Sequence, residues 1–230
     1  MDHRPAPSRW LAYRQEVPYR DVPVGVEACP LQPPGRETRA GDPPITRIPQ
    51  MVESLAEALD PWMDRPFALF GHSVGALAMF ELARRLRRQG RRSPDWLFVS
   101  GCPAPDQPYR RPVVSHLPPR EFWQAMHDHF DMGPVVLENE DLQAMLYPPL
   151  RAEYELVETY KYEEEAPLAI PLSVFGGTRD LETTSDELQA WSRQTVRRFR
   201  CRILEGNHMF VKTQREALLR DLSLDLSLLP

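Results

Sequence analysis

The sequence predicts an α/β protein whose mostly parallel β-sheet is covered by helices on both faces. Short apolar runs that suit buried strands alternate along the chain with segments whose apolar residues recur at helical spacing. Strands that alternate with helices form parallel sheets, because each crossover helix packs on one face of the sheet. At 230 residues the chain suits a single domain, which we expect to cover residues 1–230.

The predicted elements follow one another in a regular order. The strands are short and mostly apolar, and each helix carries one apolar face. We expect strands at residues 22–29, 67–70, 96–100, 170–175 and 199–204. We expect helices at residues 48–59, 74–89, 184–197 and 209–222. Residues 115–162 interrupt this alternation, with helical patterns at 119–129, 139–147 and 150–162, and we expect them to form an insertion over the sheet.

The pentapeptide Gly71-His72-Ser73-Val74-Gly75 lies between a predicted strand and a predicted helix. This arrangement is typical of the nucleophile elbow of the α/β-hydrolase fold, in which a sharp turn exposes the serine and the glycines let neighbouring backbone approach. Ser73 would then lie at a helix N-terminus, where free N–H groups favour a developing oxyanion. We therefore predict Ser73 as the nucleophile and the Val74 N–H as one oxyanion donor.

A serine nucleophile needs a base, and His208 is the strongest of six candidate histidines. It lies in Gly206-Asn207-His208-Met209-Phe210, after the last predicted strand and at the start of the last helix. In this fold the acid and then the base follow the serine along the chain. We expect His72 to point away from the reacting centre. His127 and His129 lie on different sides of a predicted helix, which argues against a metal site, and His3 and His116 lie in irregular segments.

The predicted acid is Asp180, just after the strand at residues 170–175. Active sites of parallel sheets form beyond the carboxyl ends of the strands, so this position suits an acid that orients His208. Glu182 and Asp186 are the alternatives, and both could serve more simply as caps of the helix that follows.

Composition excludes several classes of function. A net charge of −5 at pH 7 argues against wholesale nucleic-acid binding, because the phosphate backbone would repel the protein. Cys29, Cys102 and Cys201 have no metal-ligand spacing, and an odd cysteine count without a secretory leader predicts a reducing cytoplasm. No apolar run approaches the length of about 18 residues that a membrane span needs.

At these motifs the sequence resembles the type II thioesterases, the stand-alone editing hydrolases of polyketide and non-ribosomal peptide assembly lines. The resemblance implies hydrolysis of acyl thioesters on the phosphopantetheine arm of a carrier protein, by a Ser73–His208–Asp180 triad, in a monomer that needs no metal or organic cofactor. It covers about residues 22–222. The matching segments are Pro34-Gly35-Arg36-Glu37, Pro43-Pro44-Ile45-Thr46, residues 65–77, Ser100-Gly101, Ala104-Pro105, Glu158-Thr159-Tyr160-Lys161-Tyr162, Gly176-Gly177 through Asp180, and residues 206–210.

The resemblance also assigns residues 115–162 to the family's lid over the acyl channel. By analogy, Phe122, Met126, Phe130 and Met145 would line that channel; the alternative is that they only pack the lid onto the body. Six arginines at the end of the elbow helix also have two interpretations. They form either a solvated helix terminus or a docking patch for an acidic carrier protein. They are Arg84, Arg85, Arg87, Arg88, Arg91 and Arg92.

The sequence departs from the family at its N-terminus. The family begins with an apolar strand that lies between the strands matching residues 22–29 and 67–70, and a Gly-rich loop after it supplies the second oxyanion N–H. Here the opening is polar, contains Pro5 and Pro7, and has no glycine before Gly25. We therefore expect this strand and loop to be missing or degenerate, through truncation or loss of function. Loss of one oxyanion donor typically slows such reactions by about 10²–10³-fold.

Two other functions remain open at the level of sequence. One is a generic carboxylesterase or lipase on the same fold. The other is a catalytically impaired carrier-binding relative, which the missing oxyanion loop would favour.

Overall fold

The computed structural model describes residues 8–13, 26–130, 132 and 134–229, and within them six strands form one parallel sheet. The order of the strands across the sheet is β2-β1-β3-β4-β5-β6, and every neighbouring pair is parallel. This confirms the predicted fold class. The strands are β1 (Ser8–Tyr13), β2 (Val26–Leu31), β3 (Phe67–His72), β4 (Trp96–Ser100), β5 (Leu172–Gly177) and β6 (Phe199–Leu204).

The N-terminal core strand is present, so the prediction that it is missing was wrong. β1 lies between β2 and β3, and Leu11 is opposite both Cys29 and Leu69. Pairing in a sheet uses backbone groups, and β1 has no proline, because Pro5 and Pro7 both precede it. The polar opening therefore does not prevent a strand from forming in the middle of the sheet. The predicted absence of an oxyanion loop concerns the segment after β1. Residues 14–25, which include the first four residues of the strand predicted at 22–29, lie outside the described part of the chain.

Helices cover both faces of the sheet. Because consecutive residues of a strand point to opposite faces, each strand contributes to a core on either side. Leu69 of β3 packs in a core with α1 and α2. Phe70 packs on the other face with α7 and α8. The helices are α1 (Ile48–Leu59), α2 (Val74–Arg88), α3 (Pro119–His129), α4 (Pro134–Leu137), α5 (Glu140–Glu158), α6 (Ser185–Gln189), α7 (Phe210–Thr213) and α8 (Arg215–Leu226). Short 3₁₀ turns lie at Glu37–Arg39, Asp60–Trp62 and Ala190–Gln194.

Four predicted helices have different limits in the structure. The helix predicted at 184–197 is α6 followed by the 3₁₀ turn Ala190–Gln194. The helix predicted at 209–222 is two helices, because the chain leaves helical geometry at Gln214 before α8 begins. The helices predicted at 139–147 and 150–162 are the single helix α5, which continues through Pro148 and Pro149.

The inserted segment between β4 and β5 (residues 115–162) is helical as predicted and has its own small core. Phe122, Trp123 and Met126 of α3 are buried there, and Leu146 and Leu150 of α5 pack against them. α5 begins at a cap in which the Asn139 side chain accepts a hydrogen bond from the Leu142 N–H at 3.0 Å.

A buried carboxylate attaches α8 to the sheet. Asp225 of α8 is fully buried, and its Oδ2 accepts a hydrogen bond from Ser173 of β5 at 2.6 Å. Arg202 of β6 donates to both of its oxygens at 2.8 Å, and Arg200 also pairs with it. The Trp96 indole N–H of β4 donates to Ser173 at 3.0 Å, so this network joins α8 to three strands.

In the described residues, no helix is both long enough and apolar enough to cross a membrane.

Candidate active site

Ser73 lies at a sharp turn between the end of β3 and the start of α2. Its φ is 54° and its ψ is −126°, a conformation that non-glycine residues rarely adopt and that is often found at functional sites. The Ser73 N–H donates to the Ser100 carbonyl at 2.8 Å, which ties the turn to β4. A Cβ at Gly71 would lie 2.1 Å from the Gly75 carbonyl oxygen, so the turn requires glycine at position 71. The predicted elbow geometry is therefore present.

His208 and Asp180 form a hydrogen-bonded pair beyond the carboxyl ends of β5 and β6. The Nδ1 of His208 lies 3.0 Å from Oδ2 and 3.2 Å from Oδ1 of Asp180. The Asp180 side chain is completely buried. Ser73 and His208 line the same cavity, so the fold brings together the three residues predicted from sequence.

Two further donors hold the Asp180 carboxylate in place. The Glu182 N–H donates to Oδ1 at 2.8 Å, and the Thr183 hydroxyl donates to Oδ2 at 2.9 Å. Burial alone would raise the pKa of Asp180, but the hydrogen bond from His208 and these donors hold that pKa below its usual value. The carboxylate is thus ionised and its orientation is fixed.

The pKa of His208 is displaced in the opposite direction. Burial would lower it, but the negative charges of Glu182 and Asp180 outweigh burial, so the pKa of His208 lies above its ordinary value. The carboxylates therefore favour the imidazolium form, which a general base adopts once it has taken a proton.

His72 does not point away from the site as we expected. It lines the cavity, and its ring centroid lies 4.8 Å from that of His208. Its Nδ1 is 3.0 Å from the Ser100 hydroxyl. Gly101 follows at φ 56°, where a Cβ would lie 2.6 Å from the Cε1 of His72 and 3.2 Å from that of His208. The two rings therefore pack closely at the carboxyl end of β4.

The cavity that contains Ser73 has a volume of about 490 Å³, and the inserted segment forms much of its apolar wall. Of the four lining residues suggested by analogy, Phe130 lines it. Phe122 and Met126 are instead buried within the inserted segment, and Met145 is 63% exposed. One face of α5 turns toward the cavity, which explains why Leu146 lines it and its neighbour Met145 does not. The apolar lining from the inserted segment is Phe130, Met132, Val136, Leu146, Leu150 and Val157.

Charged side chains also line this cavity, and the sequence prediction did not assign them there. Arg36 forms a two-pronged pair with Glu153 of α5, through its Nε at 3.0 Å and its Nη2 at 2.6 Å. Arg111 lies 3.8 Å from Glu187. Glu182 projects toward His208, with its Oε1 3.8 Å from Nε2.

Neither alternative acid is the cap of α6. The N-cap is Thr184, whose side chain accepts from the Glu187 N–H, while the Glu187 side chain accepts from the Thr184 N–H. Asp186 lies in the first turn of α6 and is exposed. The Thr-x-x-Glu spacing at 184–187 is a capping-box signal that can be read from the sequence. It would have predicted Thr184, and not Glu182 or Asp186, as the cap of α6.

The six arginines of α2 and the turn after it are neutralised by acids of the same chain. Burial would raise the pKa of Glu165, but hydrogen bonds from Arg87, Arg88 and Arg84 hold that pKa below its usual value. Arg84 is buried, so the cluster is not simply a solvated helix end. The remaining pairs are Arg85 with Glu53, Arg91 with Asp60 and Arg92 with Asp95. The positive charge that a docking patch needs is therefore largely compensated.

The parallel sheet, the strained serine after β3 and the histidine–aspartate pair define an α/β-hydrolase. The family model described as "Thioesterase domain" matches residues 17–226, so the chain belongs to the thioesterase domain family and is a hydrolase of thioesters.

Relatives and solved structures agree with this assignment. The chain is 41% identical to linear gramicidin dehydrogenase LgrE of Brevibacillus parabrevis over 87% of this chain and 77% of that protein. It is 38% identical to the gramicidin S biosynthesis protein GrsT of Aneurinibacillus migulanus over 82% of this chain and 74% of that protein. It superposes on the RedJ thioesterase from the prodiginine biosynthetic pathway of Streptomyces coelicolor with a TM-score of 0.85 and 29% identity, covering 96% and 86% of the two chains. The name of LgrE describes a different reaction, whereas the family model and RedJ both indicate a thioesterase.

Proposed function

We propose that this thioesterase is a type II editing enzyme that removes stalled or aberrant acyl groups from the phosphopantetheine arm of carrier proteins. One observation carries the proposal: the Ser73 turn and His208 line the same cavity, and the wall of that cavity is largely apolar. The chain belongs to the thioesterase domain family. The names of the relatives connect them with gramicidin and prodiginine synthesis, which supports an assembly-line carrier as the partner.

In the proposed mechanism Ser73 is the nucleophile and His208 the general base. The Ser73 hydroxyl attacks the thioester carbonyl as the Nε2 of His208 takes its proton, and Asp180 stabilises the imidazolium through Nδ1. The C–S bond then breaks, and His208 returns the proton to the leaving pantetheine thiol. Water attacks the acyl-serine in the same way, with His208 again as base, and releases the free acid and Ser73.

We assign the Val74 N–H to the oxyanion hole. Val74 is the first residue of α2 and lines the cavity beside Ser73, and backbone N–H groups at a helix N-terminus are suited to a developing negative charge. A second donor from the loop after β1 would complete the hole. The presence of β1 in the sheet supports this proposal, because β1 is parallel to β3 and its last residues therefore lie toward the same, carboxyl edge of the sheet as Ser73.

The inserted segment (residues 115–162) is proposed as a lid on a single domain that covers residues 1–230. Its apolar residues face the cavity, and a water-excluding cover would protect the acyl-enzyme and strengthen the electrostatic interactions around it. We also propose that the protein is a monomer and is cytoplasmic. An odd number of cysteines, three in this sequence, suits the cytoplasm, where thiols remain reduced.

One assay separates this function from its alternatives. Wild type and Ser73→Ala are compared on an acyl-carrier thioester and on an oxygen ester with the same acyl group. We expect thioester turnover that the substitution abolishes. Equal turnover of the oxygen ester would favour a carboxylesterase. Binding of the carrier without turnover would favour an impaired relative and would overturn the proposal.

A further inference from the structure

His72 is the buried residue just before Ser73, at the end of β3, and its ring packs against the proposed base. The ring centroids of His72 and His208 lie 4.8 Å apart, within the range of packed aromatic rings, and the two ring planes are tilted by 40°. The ring of Phe210 meets that of His72 edge-to-face, with centroids 5.8 Å apart. His72 therefore contacts the segment that carries the base at two points.

A hydroxyl of the neighbouring strand holds the His72 ring. His72 of β3 lies opposite Ser100 of β4 in the sheet, and its Nδ1 is 3.0 Å from the Ser100 hydroxyl. Ser100 is fully buried, and its carbonyl accepts a hydrogen bond from the Ser73 N–H at 2.8 Å. One residue of β4 thus contacts both the turn of the nucleophile and the ring that packs against the base.

The hydrogen bond to Asp180 does not fix the whole ring of His208. It holds Nδ1 at 3.0 Å from Oδ2, while small changes in both side-chain torsions would swing the opposite nitrogen, Nε2, about that point. The terminal torsion of a histidine side chain has broad minima, so it resists such a swing only weakly. For proton transfer, however, Nε2 must lie within about 3 Å of the Ser73 hydroxyl. A second contact is therefore needed to hold the plane of the ring.

The packing around His72 supplies that contact. The backbone at Gly101 closes one side of both rings, because a Cβ there would lie 2.6 Å from the Cε1 of His72 and 3.2 Å from that of His208. Close-packed interiors yield little when one of their side chains is pushed. A swing of the His208 ring toward His72 would therefore have to displace a ring that its neighbours hold in place.

We propose that His72 is a positioning residue that keeps the Nε2 of His208 directed at Ser73, and that Ser100 anchors it. This rests on the proposed function and adds two residues to the same site. His72 takes up no proton in this role and contributes a close-packed ring in a fixed place. A misplacement of about 1 Å in an active site can lower the rate by about 10²-fold, so a residue that acts only through His208 can have a large effect on kcat.

The first test measures kcat and KM on an acyl-carrier thioester for wild type, His72→Ala and His72→Phe. We expect His72→Ala to lower kcat and kcat/KM equally, by about 10²-fold, because the loss affects the chemical step and not substrate binding. His72→Phe keeps a ring against His208 and should recover most of the activity that His72→Ala loses. Equal losses in folded His72→Phe and His72→Ala would mean that the imidazole acts by its own proton chemistry and would overturn the positioning role.

The second test is a double-mutant cycle with Ser100→Ala, which removes the hydroxyl but keeps the carbonyl that binds the Ser73 N–H. It should lower kcat by about tenfold in wild type and by less than about twofold in His72→Ala, where no ring remains to be held. Ser173→Ala is the matched control. It removes an equally buried hydroxyl of β5, bonded to Trp96 and Asp225, and should lower stability without changing kcat.

Circular dichroism shows whether each variant is folded. Equal effects of Ser100→Ala in the two backgrounds would overturn the anchoring role of Ser100. A folded His72→Ala variant that keeps kcat within about threefold of wild type would overturn the whole inference while leaving thioester hydrolysis intact. If wild type does not hydrolyse the thioester, the proposed function itself fails.

Discussion

Asp180→Asn tests the proposed triad with the smallest change of shape. The carboxylate accepts from three donors: His208 at both oxygens, the Glu182 N–H at Oδ1 and the Thr183 hydroxyl at Oδ2. An asparagine NH₂ at the Oδ1 position would face the fixed Glu182 N–H, and two donors cannot bond. The NH₂ must therefore take the Oδ2 position, where the Thr183 hydroxyl can rotate to accept.

In that orientation the new amide donates to the Nδ1 of His208. The imidazole then carries its proton on Nε2 and cannot accept the proton of Ser73. The same substitution in chymotrypsin-type proteases lowers kcat by about 10⁴-fold, a value that comes from those enzymes. We expect a loss of about 10³–10⁴-fold here, because the geometry leaves the neutral histidine in the same unproductive tautomer.

The assay is kcat on an acyl-carrier thioester, with the melting temperature measured on the same samples. Thr183→Val removes one donor to Asp180 but keeps the carboxylate, so it serves as a control that should lose far less activity. A folded Asp180→Asn variant that keeps kcat within tenfold of wild type would refute the assignment of Asp180.

Three further predictions concern the pH dependence of activity, the turn at Ser73 and the buried network around Asp225. Because the pKa of His208 is raised, kcat/KM should fall as the pH decreases through a value above about 6.5, the ordinary histidine pKa. An acidic limb of the pH profile with its midpoint at or below about 6.5 would contradict the raised pKa. Gly71→Ala should abolish activity and soluble expression, since its Cβ would lie 2.1 Å from the Gly75 oxygen, whereas Gly41→Ala, with nothing within 4 Å, should behave as wild type in both assays. Asp225→Ala should lower the free energy of unfolding in urea by about 2–3 kcal/mol, because it leaves buried polar partners unsatisfied, and no change would mean that the network contributes nothing.

The sequence predicted the parts of the fold that depend on local pattern. β4 and β6 have their predicted limits, and the glycines around Ser73 indicated the elbow correctly. In each case the pattern of apolar residues and the geometry of one turn decide the structure, and both are properties of a few neighbouring residues.

The sequence could not predict features that depend on distant neighbours. β1 was missed because its polar start gave no apolar run, although two flanking strands supply its hydrogen bonds. α5 was predicted as two helices on either side of Pro148 and Pro149. It is one helix in the structure, where it packs against α3 and α4.

The candidate active site likewise has features that the sequence predicted and features that depend on distant neighbours. Ser73, Asp180 and His208 come from three distant parts of the chain, and their order suggested how they would meet. The position of Glu182 beside Nε2 depends on how the loop after Asp180 folds, which no spacing in the sequence indicates. Likewise, the acids that neutralise the arginines of α2 and of the turn after it include Glu165 and Asp60, which are remote in sequence from the arginines they contact.

The central claim, that thioesters are hydrolysed through an acyl-Ser73 intermediate, is tested most directly by labelling with a serine-reactive fluorophosphonate. Labelled peptides are identified by mass spectrometry while thioester hydrolysis is followed on the same samples. We expect one adduct per chain, at Ser73, and a loss of activity in proportion to its formation. Thioester hydrolysis that survives complete labelling of Ser73 would contradict the claim.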